Sequence, residues 1–286
     1  QAAYKRGVDA FRKGAELNKA LRLENVEIPY EGTSLPGIIV HADHQPGKKG
    51  PIMLFLDGFD VTKEIQYFRG IPEMIKRGVS VLLLDGPGNG EAIRFRNLML
   101  HHETERHAGA AYDFLAARPE FDPKRIGIMA LSLGGYYSPR AAAFEKRFKC
   151  AVAWGAIYDY HACVSDRIGG RGEPSVPGYA EHVNWVFGCD KIEDTLKIIK
   201  NMTLEGVADK ITCPLLIVHG ENDRQVPLWH AQKTYDAAVN SPGRELKICY
   251  LADGGAEHCG ADNGPLVVDY MTDWVAEKLG GNVKGV

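Results

Sequence analysis

Ala130-Leu131-Ser132-Leu133-Gly134-Gly135 joins an apolar run, Arg125-Ile126-Gly127-Ile128-Met129, to a helix-compatible stretch over 136–146. An apolar run of this length suits a strand buried on both faces. A serine at the turn from strand to helix, with glycines two and three residues on, has its hydroxyl pushed out beyond the sheet. The small neighbours let the helix begin close to the strand. The Leu133 amide then lies at a helix N-terminus, where partial positive charge can stabilise an oxyanion. Turns of this kind follow the pattern G-x-S-x-G, and here the first position is Ala130. Alanine is the next smallest residue, so the turn is expected to survive slightly more crowded.

The flanking sequence repeats the strand–helix rhythm. Apolar runs at 51–56, 79–84, 126–131, 150–155, 215–220 and 246–251 read as strands. Helical stretches at 66–76, 104–117, 137–146, 229–239 and 265–278 separate them. Pro139 predicts a kink or an early break in the third of these. Residues 26–28 and 37–40 read as an antiparallel pair turning at Tyr30-Glu31-Gly32, and 4–23 as a polar amphipathic helix. Alternation of this kind predicts right-handed crossovers and a doubly wound, mostly parallel sheet in the α/β class. Residues 160–208 interrupt the rhythm with Gly169-Gly170-Arg171-Gly172-Glu173-Pro174 and helical stretches at 179–187 and 192–202. An insertion between two sheet strands is expected over the strands' C-terminal ends, as a lid or cap; the plainer alternative is a surface excursion. The expected division is therefore 1–24 as an N-terminal helical segment, 25–159 and 209–286 as the core, and 160–208 as the lid.

A serine hydroxyl needs a base, and the base an orienting acid. His219-Gly220-Glu221-Asn222-Asp223 follows one buried strand, and Gly254-Gly255-Ala256-Glu257-His258-Cys259 follows the next. Open α/β sheets gather functional groups just beyond strand C-termini, so Ser132, Asp223 and His258 are the candidate catalytic set. Their simpler readings are a helix cap for Asp223 and an exposed loop residue for His258. Asp57-Gly58-Phe59-Asp60 ends another strand, and the Phe59 amide is the candidate second oxyanion donor beside that of Leu133. Trp154, Tyr158, Asp159, His161 and Asp166, with Trp185 of the insertion, are candidates for the substrate pocket; packing is the competing role for Trp154.

Other features exclude functions. Net charge is −3, without a long basic run, so no nucleic-acid or anionic-membrane partner is expected. The apolar runs are strand-sized, so no transmembrane helix is expected. Gln1-Ala2-Ala3-Tyr4-Lys5-Arg6 lacks a signal-peptide core and an initiator Met, so residues upstream of it are expected. Six cysteines without C-x-x-C spacing read as reduced thiols of a cytoplasmic protein. Asp85-Gly86-Pro87-Gly88-Asn89-Gly90-Glu91 lacks the Gly-Lys-Ser/Thr of a phosphate loop, and reads as a tight turn at the sheet rim. His102 and His107 are five apart, off a shared helix face, so His101-His102-Glu103-Thr104-Glu105-Arg106-His107 reads as a solvated helix start without metal. His41 and His44 are expected to be exposed. Neither a metal nor a cofactor is expected.

Together these motifs resemble the α/β-hydrolase superfamily over about 25–280. Leu56-Asp57-Gly58-Phe59 with Thr62-Lys63-Glu64, Asp85 to Glu91, Ser132 to Tyr137, Trp154-Gly155 and Asp253 to Cys259 are similar to the FrsA-like esterase group. That group includes a 2,6-dihydroxypseudooxynicotine hydrolase and fungal polyketide-shortening hydrolases. The resemblance implies an α/β-hydrolase fold, the triad Ser132, Asp223 and His258, and residues 1–24 as the end of a helical cap. It implies a small acyl or carbonyl substrate, and a homodimer as in many members. Some members cleave a carbon–carbon bond beside a ketone with an acidic residue after the Trp-Gly strand; Asp159 and Asp166 are the nearest candidates. Two further readings stay open: a serine peptidase of the prolyl-oligopeptidase type, and a non-catalytic regulatory protein on a hydrolase scaffold.

Overall fold

The computed structural model describes residues 1–18, 21–44 and 47–283. Helix α1 (Ala2–Leu17) precedes the hairpin β1 (Arg22–Tyr30) and β2 (Thr33–His41), in which Val26 faces Gly37. The core follows in strand–helix alternation: β3 (Gly50–Leu56), α2 (Lys63–Gln66), α3 (Ile71–Lys76), β4 (Ser80–Leu84), α4 (Gly90–Arg96), α5 (Thr104–Ala116), β5 (Phe121–Leu131), α6 (Gly134–Phe144) and β6 (Ala151–Trp154). Helices α7 (Tyr160–Ile168), α8 (Tyr179–Phe187) and α9 (Ile192–Ile199) form the insertion. The chain then returns through β7 (Leu215–Gly220), α10 (Trp229–Ala237), β8 (Glu245–Cys249) and α11 (Gly264–Leu279).

One sheet of eight strands runs in the order β1-β2-β4-β3-β5-β6-β7-β8. Only β1–β2 and β2–β4 pair antiparallel; the other neighbours are parallel. Strands β3, β4, β6 and β7 are buried throughout, as the apolar runs require of strands covered on both faces. Side chains leave alternate faces of each strand, so the core is split in two. Leu54, Leu56, Leu82 and Leu84 pack with Tyr112, Tyr136 and Tyr160 on one face. Met53, Phe55, Val81 and Leu83 pack with Met74, Met271 and Val275 on the other.

Several expectations need correction. The first helix ends at Leu17, and Arg22 and Leu23 already belong to β1; residues 19 and 20 lie outside the described residues. The single helix expected over 66–76 is two, parted at Gly70, whose φ of +74° is left-handed backbone that glycine adopts without a steric penalty. Helix α6 runs through Pro139 to Phe144 without breaking, buried between α5 and β6. His107 is 2% exposed and His101 bonds the Tyr30 hydroxyl at 3.0 Å, so that helix start is packed rather than solvated. His41 pairs with Glu24 at 2.9 Å and stacks on Phe121, and His44 is half-buried. Helix α7 and the short α4 carried no periodic signal strong enough to read.

Candidate active site

Strand β5 ends at Leu131, and Ser132 turns the chain with a φ of +57°. A non-glycine residue in this region is strained and persists only where its surroundings hold it. Here the Ser132 amide donates to the Trp154 carbonyl at 2.8 Å, and its carbonyl accepts from the Gly135 amide at 2.7 Å. The glycines that follow are spatial requirements. A Cβ on Gly134 would lie 2.4 Å from the Ala130 methyl, and one on Gly135 would lie 2.2 Å from the Gly155 carbonyl oxygen. The alanine that replaces the usual glycine at 130 therefore fits because residue 134 has no side chain.

Strand β7 delivers Asp223 and the loop after β8 delivers His258. The Asp223 side chain is fully buried; Oδ1 accepts from the Gln225 and Val226 amides at 2.9 and 2.8 Å. This is not a helix cap, since α10 begins after Leu228. The loop carrying His258 is shaped by Asp262, whose carboxylate accepts from the Gly255, Ala256 and Glu257 amides at 2.8 to 3.1 Å. His258 Nδ1 lies 2.7 Å from Asp223 Oδ2, and its Nε2 lies 2.9 Å from Ser132 Oγ. The structure thus brings together three side chains separated by as many as 126 positions. Burial disfavours a charged imidazole at His258, and the Asp223 carboxylate, through its hydrogen bond and its charge, offsets that cost and stabilises the imidazolium that forms once the serine proton is taken. Burial likewise opposes the Asp223 charge, yet the His258 hydrogen bond and the nearby histidines hold that carboxyl below its usual range. An imidazole so placed can take a hydroxyl proton on one nitrogen while a carboxylate balances its charge through the other.

The Phe59 loop lies against the elbow: a Cβ on Gly58 would sit 3.2 Å from that of Ser132 and 3.1 Å from the Leu131 carbonyl oxygen. Neither the Phe59 nor the Leu133 amide has an acceptor among the described residues. The Phe59 ring packs against the insertion, with Tyr160 at 6.2 Å, Tyr179 at 5.7 Å and His182 edge-on at 4.9 Å. The insertion therefore covers this loop.

The pocket candidates separate. Trp154 is 3% exposed and stacks on Phe55 in the core on the α3–α11 side of the sheet. It also lines a cavity of about 570 Å³ with Phe68, Cys259 and Val268. Tyr158 gives its amide to His230 Nδ1 at 3.2 Å and lies under Lys233. Asp159 caps α7, accepting from the Ala162 amide at 3.0 Å. His161 is half-buried in the first turn of α7, and Asp166 is held by Arg171 at 2.7 Å. Trp185 is 40% exposed and touches His182. Sequence reasoning missed Tyr160, fully buried beside Phe59; no pattern marks it. It also missed Asp262, whose signal was its place four residues after His258 on a glycine-rich loop.

A mostly parallel eight-stranded sheet with a serine on a strained turn after its central strand is an α/β-hydrolase fold. The prolyl oligopeptidase family matches residues 66–282, and the chain belongs to it. Among curated relatives, the 20-hydroxy-prefusarin hydrolase of Gibberella moniliformis is 32% identical over 254 residues, covering 76% of this chain and 59% of that protein. The 2,6-dihydropseudooxynicotine hydrolase of Paenarthrobacter nicotinovorans is 26% identical over 280 residues, covering 98% of this chain and 71% of that protein. The chain is thus shorter than both. The crystal structure of the 2,6-dihydroxy-pseudo-oxynicotine hydrolase superposes with a TM-score of 0.78 at 26% identity, over 96% of this chain and 73% of that one. The acylaminoacyl peptidase of Pyrococcus horikoshii shares the fold, with a TM-score of 0.66 at 16% identity over 95% of this chain and 44% of that one. The resemblance to the FrsA-like group is borne out by these relatives. All six cysteines are free thiols, and among the described residues no helix is long and apolar enough to cross a membrane.

Proposed function

We propose that the protein is a serine hydrolase that opens an ester, or an activated ketone carbon–carbon bond, of an acyl, aromatic or polyketide-like small molecule. The observation that carries this reading is the unbroken line Ser132 Oγ, His258 Nε2, His258 Nδ1, Asp223 Oδ2, with contacts of 2.9 and 2.7 Å. Asp223 fixes the tautomer in which Nδ1 bears hydrogen, leaving the Nε2 lone pair for the serine proton. Ser132 Oγ attacks the carbonyl carbon, and the Leu133 and Phe59 amides take the oxyanion. His258 passes its proton to the leaving group; the acyl-enzyme is then opened by water activated through the same imidazole.

The relatives named for hydrolysis of 20-hydroxy-prefusarin and of 2,6-dihydropseudooxynicotine support a small organic substrate. For the carbon–carbon arm, Asp159 holds the α7 cap through Oδ1 and Asp166 pairs with Arg171 at the surface. The insertion 160–208 acts as a lid over the Phe59 loop in this reading. Helix α1 (Ala2–Leu17) is an outer segment in this reading, and 22–159 with 209–286 the catalytic core. The test is a panel of p-nitrophenyl esters, lactones, β-diketones and peptide amides against wild type and Ser132→Ala, with fluorophosphonate labelling alongside. Loss of turnover and of labelling in Ser132→Ala is expected. Full ester turnover by that variant would overturn the assignment, and turnover of peptide amides alone would transfer it to a peptidase.

A further inference from the structure

Two motifs, Thr62-Lys63-Glu64 and Asp85 to Glu91, take no part in the triad, yet they meet behind the Asp57-Gly58-Phe59 loop. Strands β3 and β4 pair in parallel with Leu56 opposite Leu84, so Asp57 and Asp85 leave the sheet side by side. The Asp85 carboxylate is fully buried and accepts from the Lys63 amide at 3.0 Å, the Glu91 amide at 2.9 Å and Lys63 Nζ at 2.7 Å. The Lys63 ammonium, 1% exposed, also reaches Glu64 at 2.6 Å and Glu91 at 2.7 Å. Burial, then the Asp85 charge, hold the Asp57 carboxyl well above its ordinary range. Gly90 is pressed so close that a Cβ there would lie 2.1 Å from the Asp85 carboxylate. The turn is thereby folded onto Asp85, and it presents Asn89. Asn89 Nδ2 donates to the Gly58 carbonyl at 2.5 Å and to the Val61 carbonyl at 3.2 Å.

The Gly58 carbonyl and the Phe59 amide belong to one peptide group. That group is planar and trans, with C=O and N–H pointing in opposite directions. Anchoring the oxygen from one side therefore aims the hydrogen to the other, and a hydrogen bond to the carbonyl also polarises the N–H. We propose that Asn89 is a positioning residue that sets the Phe59 amide as an oxyanion donor, and that the buried Lys63–Asp85 pair is the post on which its turn is mounted. The proposal rests on the serine-hydrolase reading and specifies how that site's second donor is held. Helix α1 closes the cluster from outside, with Arg12 on Glu91 at 3.0 Å and the Tyr4 hydroxyl on Glu64 at 3.1 Å. Arg12 adds a second positive charge beside the three carboxylates that Lys63 alone leaves in excess.

The test is Asn89→Leu, close in volume and lacking the donor, assayed with p-nitrophenyl acetate and with an aryl trifluoromethyl ketone, whose hemiketal oxygen occupies the oxyanion position. Loss of one such donor typically lowers kcat by about 10²–10³. A misaimed donor is expected to cost about 30-fold or more in kcat with KM within about twofold, and to weaken the ketone by the same factor. A variant that melts earlier but keeps kcat and ketone affinity within about threefold overturns the proposal. Ser132→Ala runs in parallel. If it retains turnover, the underlying reading fails and the proposal falls with it. If it is inactive while Asn89→Leu is fully active, only the positioning role is lost. Should Asn89→Leu not fold, Asn89→Ala decides, since it removes the same donor to the Gly58 carbonyl without adding a branched side chain. A fall in kcat at constant KM supports the proposal, and an unchanged kcat overturns it.

Discussion

Replacing Asp223 by asparagine keeps the outline of the side chain and changes one contact. The Oδ1 side still accepts the Gln225 and Val226 amides, now at 2.9 and 2.8 Å, so the loop after β7 retains its local order. The Oδ2 side, which faces His258 Nδ1 at 2.7 Å, becomes an NH2 donor. The imidazole must then turn Nδ1 into the acceptor, which moves its hydrogen to Nε2, the atom 2.9 Å from Ser132 Oγ. A protonated Nε2 cannot accept the serine proton. The variant is left with the oxyanion donors and substrate binding alone, and kcat/KM is expected to fall by roughly 10³–10⁴. At about 1.36 kcal/mol per decade, that is ~4–5.5 kcal/mol of lost transition-state stabilisation. Steady-state ester hydrolysis measures the fall, and a thermal melt within a few degrees of wild type shows that it is not unfolding. A correctly folded Asp223→Asn enzyme within tenfold of wild type would refute the tautomer argument.

Gly135→Ala would place a Cβ 2.2 Å from the Gly155 oxygen and 2.6 Å from the Ala156 Cα, both backbone atoms; a loss of about 3 kcal/mol or more is expected, and an unchanged urea midpoint would contradict it. Lys63→Met leaves three carboxylates whose oxygens lie within 4.8 Å of one another without their ammonium. About 3–5 kcal/mol should be lost, part of it recovered in Lys63→Met/Glu91→Gln, with thermal melts as the readout. His107 and His230 are held neutral chiefly by burial, with pKa values pushed down to about 3. The unfolded chain protonates first, near 6.5, so it binds more protons than the native state between 6.5 and 3, and stability falls as pH falls through that window. By pH 5 each costs about 2 kcal/mol; His107→Leu should lose about 1.5 kcal/mol less stability than wild type between pH 6.5 and 5, and an identical loss would exclude this origin.

The elbow was readable because its determinants are local: an apolar run, a serine, and two glycines that the structure shows to be spatially required. The order Ser132, Asp223, His258 was readable because each follows a strand of the parallel part of the sheet, which places all such ends on one edge. The strand order β2-β4-β3-β5 was not, since it depends on crossovers and not on composition. The split at Gly70 was hidden by helix-compatible neighbours on both sides. His107 looked solvated because its burial comes from Gly86 and Tyr137, distant in sequence. In sequence, Thr62-Lys63-Glu64 and the tight turn Asp85 to Glu91 stand apart; only the pairing of β3 with β4 turns residues 57, 63, 85 and 91 into one buried group.

The Ala130 methyl and the bare Cα of Gly134 share a space that holds one carbon, and this ties the two positions into a single unit of variation. A methyl added at 134 alone collides; the same methyl in an Ala130→Gly background meets the Asp57 carbonyl oxygen at 3.4 Å, an ordinary contact. A library that varies either position singly will report 134 as intolerant, and only one that varies both will find the mirror-image solution, with glycine first and alanine second. Descent through this fold can pass from one arrangement to the other only by way of the doubly unsubstituted intermediate.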